Sequence, residues 1–124
     1  MRRSLAAVVV VALGLVAAGC SKGSGPGASS PPGAGSAVTV KQLEFHFVPV
    51  DLLVKSSQGI RVENAGTVEH NFTILKTSID VNVQPGQSTT LAAIGKTLKP
   101  GTYPFECQFH KAQGMLGVLT VVAG

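Results

Sequence analysis

Apolar residues recur at every second position in short runs from Ala37 to Val122, the period of pleated strands with one covered face. Residues 37–43 alternate, and Leu43, Phe45 and Phe47 carry the period onward. Further runs lie at 50–55, 59–63, 70–75, 87–91, 102–107 and 116–122. Turn-forming clusters divide them: Ser56-Ser57-Gln58-Gly59, Asn64-Ala65-Gly66, Gln84-Pro85-Gly86 and Lys99-Pro100-Gly101. Many short strands separated by such turns predict an all-β sandwich or barrel. No stretch of the domain sustains a helical period, and residues 91–98 offer room for one helical turn at most.

Two local consequences follow from the alternation. Tyr103, Phe105 and Cys107 share the inward face of their strand, which carries a sulfur to one end of the core. Pro104 between them has no N–H to give, so its backbone is expected at an edge or an interruption of the ladder. His46, flanked by Phe45 and Phe47, falls on the outer face and reads as a surface residue.

The pattern changes before residue 37. Met1-Arg2-Arg3 is basic, residues 5–16 are apolar, and Ala17-Ala18-Gly19-Cys20 supplies small residues at a cleavage point. That is the layout of an export signal over residues 1–19, too short to argue for a stable membrane span. The segment resembles a bacterial lipoprotein signal, with Ala17 where Leu is commoner, which would make Cys20 the lipidated first residue. Ordinary secretion is the alternative. Residues 20–36 form a Gly/Ser/Pro linker with no core-building side chain, a coil reaching on the order of 20–25 Å. The domain proper is expected at 37–124.

Composition narrows the partners. The net charge of +4 includes Arg2 and Arg3 of the signal, and no basic run interleaved with aromatics suggests nucleic acid. Two cysteines in an exported chain invite a Cys20–Cys107 disulfide. A lipidated Cys20 would leave Cys107 as the lone thiol of the domain, either buried and inert or bound to metal.

The densest chemistry lies in Cys107-Gln-Phe-His110-Lys-Ala-Gln-Gly-Met115, where a thiolate, an imidazole and a thioether share one loop. Each alone has a plain explanation: a buried thiol, a surface histidine, a core methionine. Together, with His70 upstream as a second imidazole, they make the soft donor set that selects copper and transfers electrons. Asn71 beside His70 can hydrogen-bond across the site and orient its ligands. Gly114 and Gly117 are expected to give the loop backbone freedom.

Residues 101–121, together with Val68-Glu-His-Asn-Phe72 and 59–66, resemble the cupredoxins, closest to plastocyanin and its bacterial relatives. The resemblance implies a Greek-key β-sandwich holding one type 1 copper by His70, Cys107, His110 and a weak axial Met115. It further implies Cu(I)/Cu(II) cycling and an electron port at the outer edge of His110. Phe109, Met115 and Leu116 would surround that port as a docking face for transient redox partners. Two residues depart from the family. Phe109 stands where Pro is frequent, and Glu69 stands before His70, where it would favour Cu(II) if it pointed inward; it is expected to face solvent.

The expected function is therefore extracytoplasmic electron transfer by a membrane-anchored carrier. Copper storage or delivery would use the same four ligands, and zinc also suits a Cys/His site. A metal-free adhesive sandwich would leave the ligand set without purpose. An enzyme is not expected, because three histidines cannot furnish a second copper centre.

Overall fold

The computed structural model describes residues 35–124. The expected signal (1–19), Cys20 and linker residues 21–34 lie outside the described residues. Nine strands follow: β1 (Gly35–Leu43), β2 (His46–Val48), β3 (Asp51–Lys55), β4 (Gln58–Asn64), β5 (His70–Ile74), β6 (Asp80–Val83), β7 (Ser88–Leu91), β8 (Gly101–Glu106) and β9 (Leu116–Val122). Between them lie two single turns of 3-10 helix, Ile94–Lys96 and Lys111–Gln113. The first falls inside the one stretch whose sequence left room for a helical turn.

The strands form two sheets, ordered β2-β1-β4-β7 and β3-β9-β8-β5-β6. The chain passes from one sheet to the other between β2 and β3, β3 and β4, β4 and β5, β6 and β7, and β7 and β8. That arrangement is the expected all-β sandwich. β1 and β4 run parallel, in register from Val38 opposite Ile60 to Gln42 opposite Asn64. Both therefore deliver their last residues to the same end of the sandwich.

The alternating side chains meet between the layers. Phe47 of one sheet packs edge-on against Phe72 and Phe105 of the other, with ring centroids 6.0 and 4.9 Å apart. Such aromatic pairs add about 0.5–1.5 kcal/mol each beyond their area burial. Around them close Val40, Leu52, Val54, Ile60, Val62, Ile74, Leu119 and Val121, all buried.

Three details differ from the sequence expectation. Phe45 does not continue β1; it turns with Glu44 into β2, takes a left-handed backbone (φ 62°) and is exposed. His46 is on the surface as expected, its Nδ1 at 2.9 Å from the Glu44 carbonyl. β6 lies where no strand was read, because Asp80 and Asn82 are poor strand formers. Gly117 has no special backbone conformation; a Cβ there would overlap the Phe105 ring. Close approach, rather than freedom, is what requires that glycine. Gly114 does adopt φ 87°. Pro104 sits in β8, and its carbonyl accepts from Leu75 just beyond the last β5 pair, so the missing N–H falls where that ladder ends.

Candidate metal centre

One end of the sandwich gathers the chemistry. β5 opens on His70, Cys107 follows β8 directly, and Met115 immediately precedes β9. His70, Cys107 and Met115 are fully buried. His110 lies in the connecting loop and is partly exposed.

Backbone bonds close that loop. The Cys107 amide donates to the Met115 carbonyl (3.0 Å) and the His110 amide to the Cys107 carbonyl (3.1 Å). Gln113 and Met115 both donate to the His110 carbonyl. The 3-10 turn then ends at Gly114, whose left-handed conformation returns the chain to β9. Cys107 and Met115 are thus fastened back to back while His110 projects between them.

The donor atoms converge. The two Nδ1 atoms of His70 and His110 are 3.2 Å apart. Cys107 Sγ lies 3.4 Å from His110 Nδ1 and 3.9 Å from His70 Nδ1. Donors that share one ion through bonds of about 2.0–2.3 Å are spaced in this way. Burial pushes the His70 imidazole below its ordinary pKa, and the neighbouring His110 adds to the shift against an opposing pull from Glu44. His70 is therefore neutral near pH 7, with a lone pair to offer. One soft sulfur with two imidazoles suits copper, and the residues present fit that ion.

Asn71 holds the surrounding loops. Its amide N–H points at Cys107 Sγ (3.3 Å) and its carbonyl accepts from Gln42 Nε2 (3.1 Å). Its side-chain oxygen accepts from Thr73 Oγ1 and from the Gln108 amide, while Nδ2 donates to Asp80 and Asn82. Every polar group of Asn71 has a partner. β6 thus carries polar residues because Asn71 needs them.

Two residues to which the sequence reading gave no role at the site complete the region. Phe45 stands edge-on to the His110 ring at 5.1 Å, with Phe109 on another side at 6.4 Å. Met115 is buried, so it cannot form part of an exposed docking face; Phe45 (43% exposed), Phe109 (48%) and Leu116 (50%) can. Asn64, fully enclosed, builds the loop before His70 by donating to the Val68 and Val83 carbonyls and accepting from the Gly66 amide. Glu69 is half-buried, and the charges felt by His70 are those of His110 and Glu44 instead.

Comparison with known proteins agrees with this geometry. The Cupredoxin-like domain family model matches residues 7–121. A chloroplastic plastocyanin of Oryza sativa subsp. indica is 34% identical over 84 residues, 60% of this chain and 54% of the relative. The chain thus spans about half the length of the curated relatives it matches. Among solved structures, oxidised plastocyanin from Dryopteris crassirhizoma superposes with a TM-score of 0.55 at 23% identity, covering 68% of this chain and all of that one. A purple cupredoxin from Nitrosopumilus maritimus gives 0.57 at 15% identity, covering 68% and 99%. At these identities the structural likeness speaks to the fold.

Proposed function

The chain belongs to the cupredoxin-like family, in a plastocyanin-like form, and from that premise we propose that it is a single-electron carrier with one type 1 copper. The observation that carries the proposal is the convergence of His70 Nδ1, His110 Nδ1 and Cys107 Sγ within 3.9 Å at the buried end of the sandwich. Met115, buried and tied to Cys107 through the backbone, would supply the fourth donor. Copper held there supplies one-electron chemistry by alternating between Cu(I) and Cu(II).

The protein's part is to keep its donors still. His70 and Cys107 are fixed on strand ends, and Met115 is tied to Cys107 through the backbone, so little must rearrange when an electron passes. Phe47, Phe72 and Phe105 exclude water from the inner side. His110, partly exposed between Phe45 and Phe109, is the port, and those rings with Leu116 form a small apolar face for brief contact with redox proteins.

Placement rests on sequence. The basic start, the apolar residues 5–16 and the small residues before Cys20 support an exported chain, lipid-anchored at Cys20 and tethered by the linker ahead of β1. Among the described residues no helix is long and apolar enough to cross a membrane.

The test is a visible spectrum of the full chain titrated with Cu(II), then ascorbate. The expected result is an intense blue band at one copper per chain, bleached by reductant and restored by oxidant. A colourless protein that takes copper only as Cu(I) would assign it to storage or delivery instead.

A further inference from the structure

Liganding a metal through Nδ1 leaves the proton of an imidazole on Nε2, and that proton needs an acceptor. In His70 the Nε2 atom is buried without a hydrogen-bond partner. What lies nearest is unusual. A Cβ on Gly66 would stand 3.2 Å from His70 Nε2 and 2.9 Å from Glu44 Oε1, so the absent side chain leaves the imidazole and the carboxylate facing one small space. The carboxylate is not there by chance of rotamer. Its Oε1 accepts from both the Thr67 amide (2.5 Å) and Thr67 Oγ1 (2.9 Å), a pair of bonds spanning 23 residues of sequence. These Thr67 bonds, led by the backbone one, hold the Glu44 carboxyl below its ordinary range, so it is charged at neutral pH.

Accepting the proposed function, in which His70 binds copper, we propose that Glu44 is a positioning residue for the site, the counter-charge to the His70 Nε2–H. A carboxylate behind a liganding imidazole fixes its tautomer and makes it a stronger donor. The added negative charge favours Cu(II) over Cu(I). The Glu44–Phe45 turn thus serves both histidines, Glu44 behind His70 and Phe45 beside His110. The sequence directs attention to Glu69, next to His70, yet the carboxylate placed behind the ring comes from 26 residues upstream.

Glu44→Gln tests this, since its amide oxygen can still accept both Thr67 bonds while the charge is gone. Two readouts apply: the reduction potential of the blue protein, and the His70 Nε2–H resonance in the diamagnetic Cu(I) form. The preference for Cu(I) over Cu(II) should rise about threefold to tenfold for a unit charge at this range, tenfold being ~59 mV for a one-electron couple. The Nε2–H should exchange faster with water, with the thermal midpoint unchanged. Glu69→Gln removes an equal charge and should move neither readout as far. If either readout is unchanged in blue Glu44→Gln, or if Glu69→Gln matches it, this inference is wrong and the proposed function stands. A wild-type chain that forms no blue site overturns both.

Discussion

At the scale of single residues the site depends on Asn71 as much as on any ligand. It joins β5, β6 and the segment after Cys107 through six hydrogen bonds, three of them buried and three part-buried. Asn71→Ala would take a partner from the Gln108 amide and from the buried Thr73 hydroxyl, while the Asp80 and Asn82 oxygens, on exposed residues, can turn to water. Buried polar groups left unpaired cost about 1–3 kcal/mol each when water cannot reach them. Urea unfolding of the metal-free Asn71→Ala chain should show a loss of about 1–3 kcal/mol, and a loss below 0.5 kcal/mol would mean that water replaces the network. His70 adds a pH dependence. Its folded pKa is depressed from 6.5, so the unfolded chain takes up the proton first as pH falls. The metal-free fold should therefore keep its full stability above about pH 7 and lose it as pH drops below 6.5. Thermal melts of the metal-free His70→Asn chain should lack that part of the slope.

Among the elements, β8 and β9 show why packing outranks propensity. Gly117 of β9 faces Phe105 of β8 across a registered pair, and the ring occupies the space a side chain would need. Gly117→Ala must push the ring or the Val50 carbonyl aside, at a cost of about 1–3 kcal/mol. A thermal midpoint within 1 °C of wild type would show that the core yields more readily than its packing suggests. The neighbouring turn obeys a different constraint. Phe45 carries left-handed strain of order 1 kcal/mol or more, which non-glycine residues normally avoid. Phe45→Gly should leave stability within about 1 kcal/mol, because relief of strain offsets lost contact, while electron exchange with redox partners slows. Unaltered exchange would remove Phe45 from the docking face.

These elements also mark how far the sequence could be read. β9 was legible residue for residue, because Leu116–Val122 is an apolar run rich in Val and Leu that begins just after the Gly114 turn. His70, Cys107, His110 and Met115 were legible as a donor set because three share one loop and soft donors are rare. β6 was not, since Asp80 and Asn82 earn their places by pairing with Asn71 rather than by strand propensity. Glu44 was invisible for a related reason. Its partners, Thr67 and the space beside Gly66, are supplied by the folded loop, and no local spacing announces them.

For the whole molecule, metal and fold are linked. His70 at the start of β5 joins the donors of the loop between β8 and β9 when the sandwich closes, so copper is expected to favour the native state. At free copper a thousandfold above the dissociation constant the gain is about 4 kcal/mol, and calorimetry should show a higher melting temperature for the loaded chain. Equal melting temperatures with and without copper would place the donors elsewhere.

The direction of β1 carries one last consequence. Gly35 begins the strand beside Gln58, whereas Leu43 ends it next to the Glu44–Phe45 turn and the histidines. Nine residues of extended chain separate those points, about 25–30 Å. If the upstream segment is moored to a membrane, the mooring enters at the foot of the domain and the port rides at its crown, facing outward. Such a carrier meets partners that stand clear of the bilayer by default and must somersault on its tether to reach one lying flush with it.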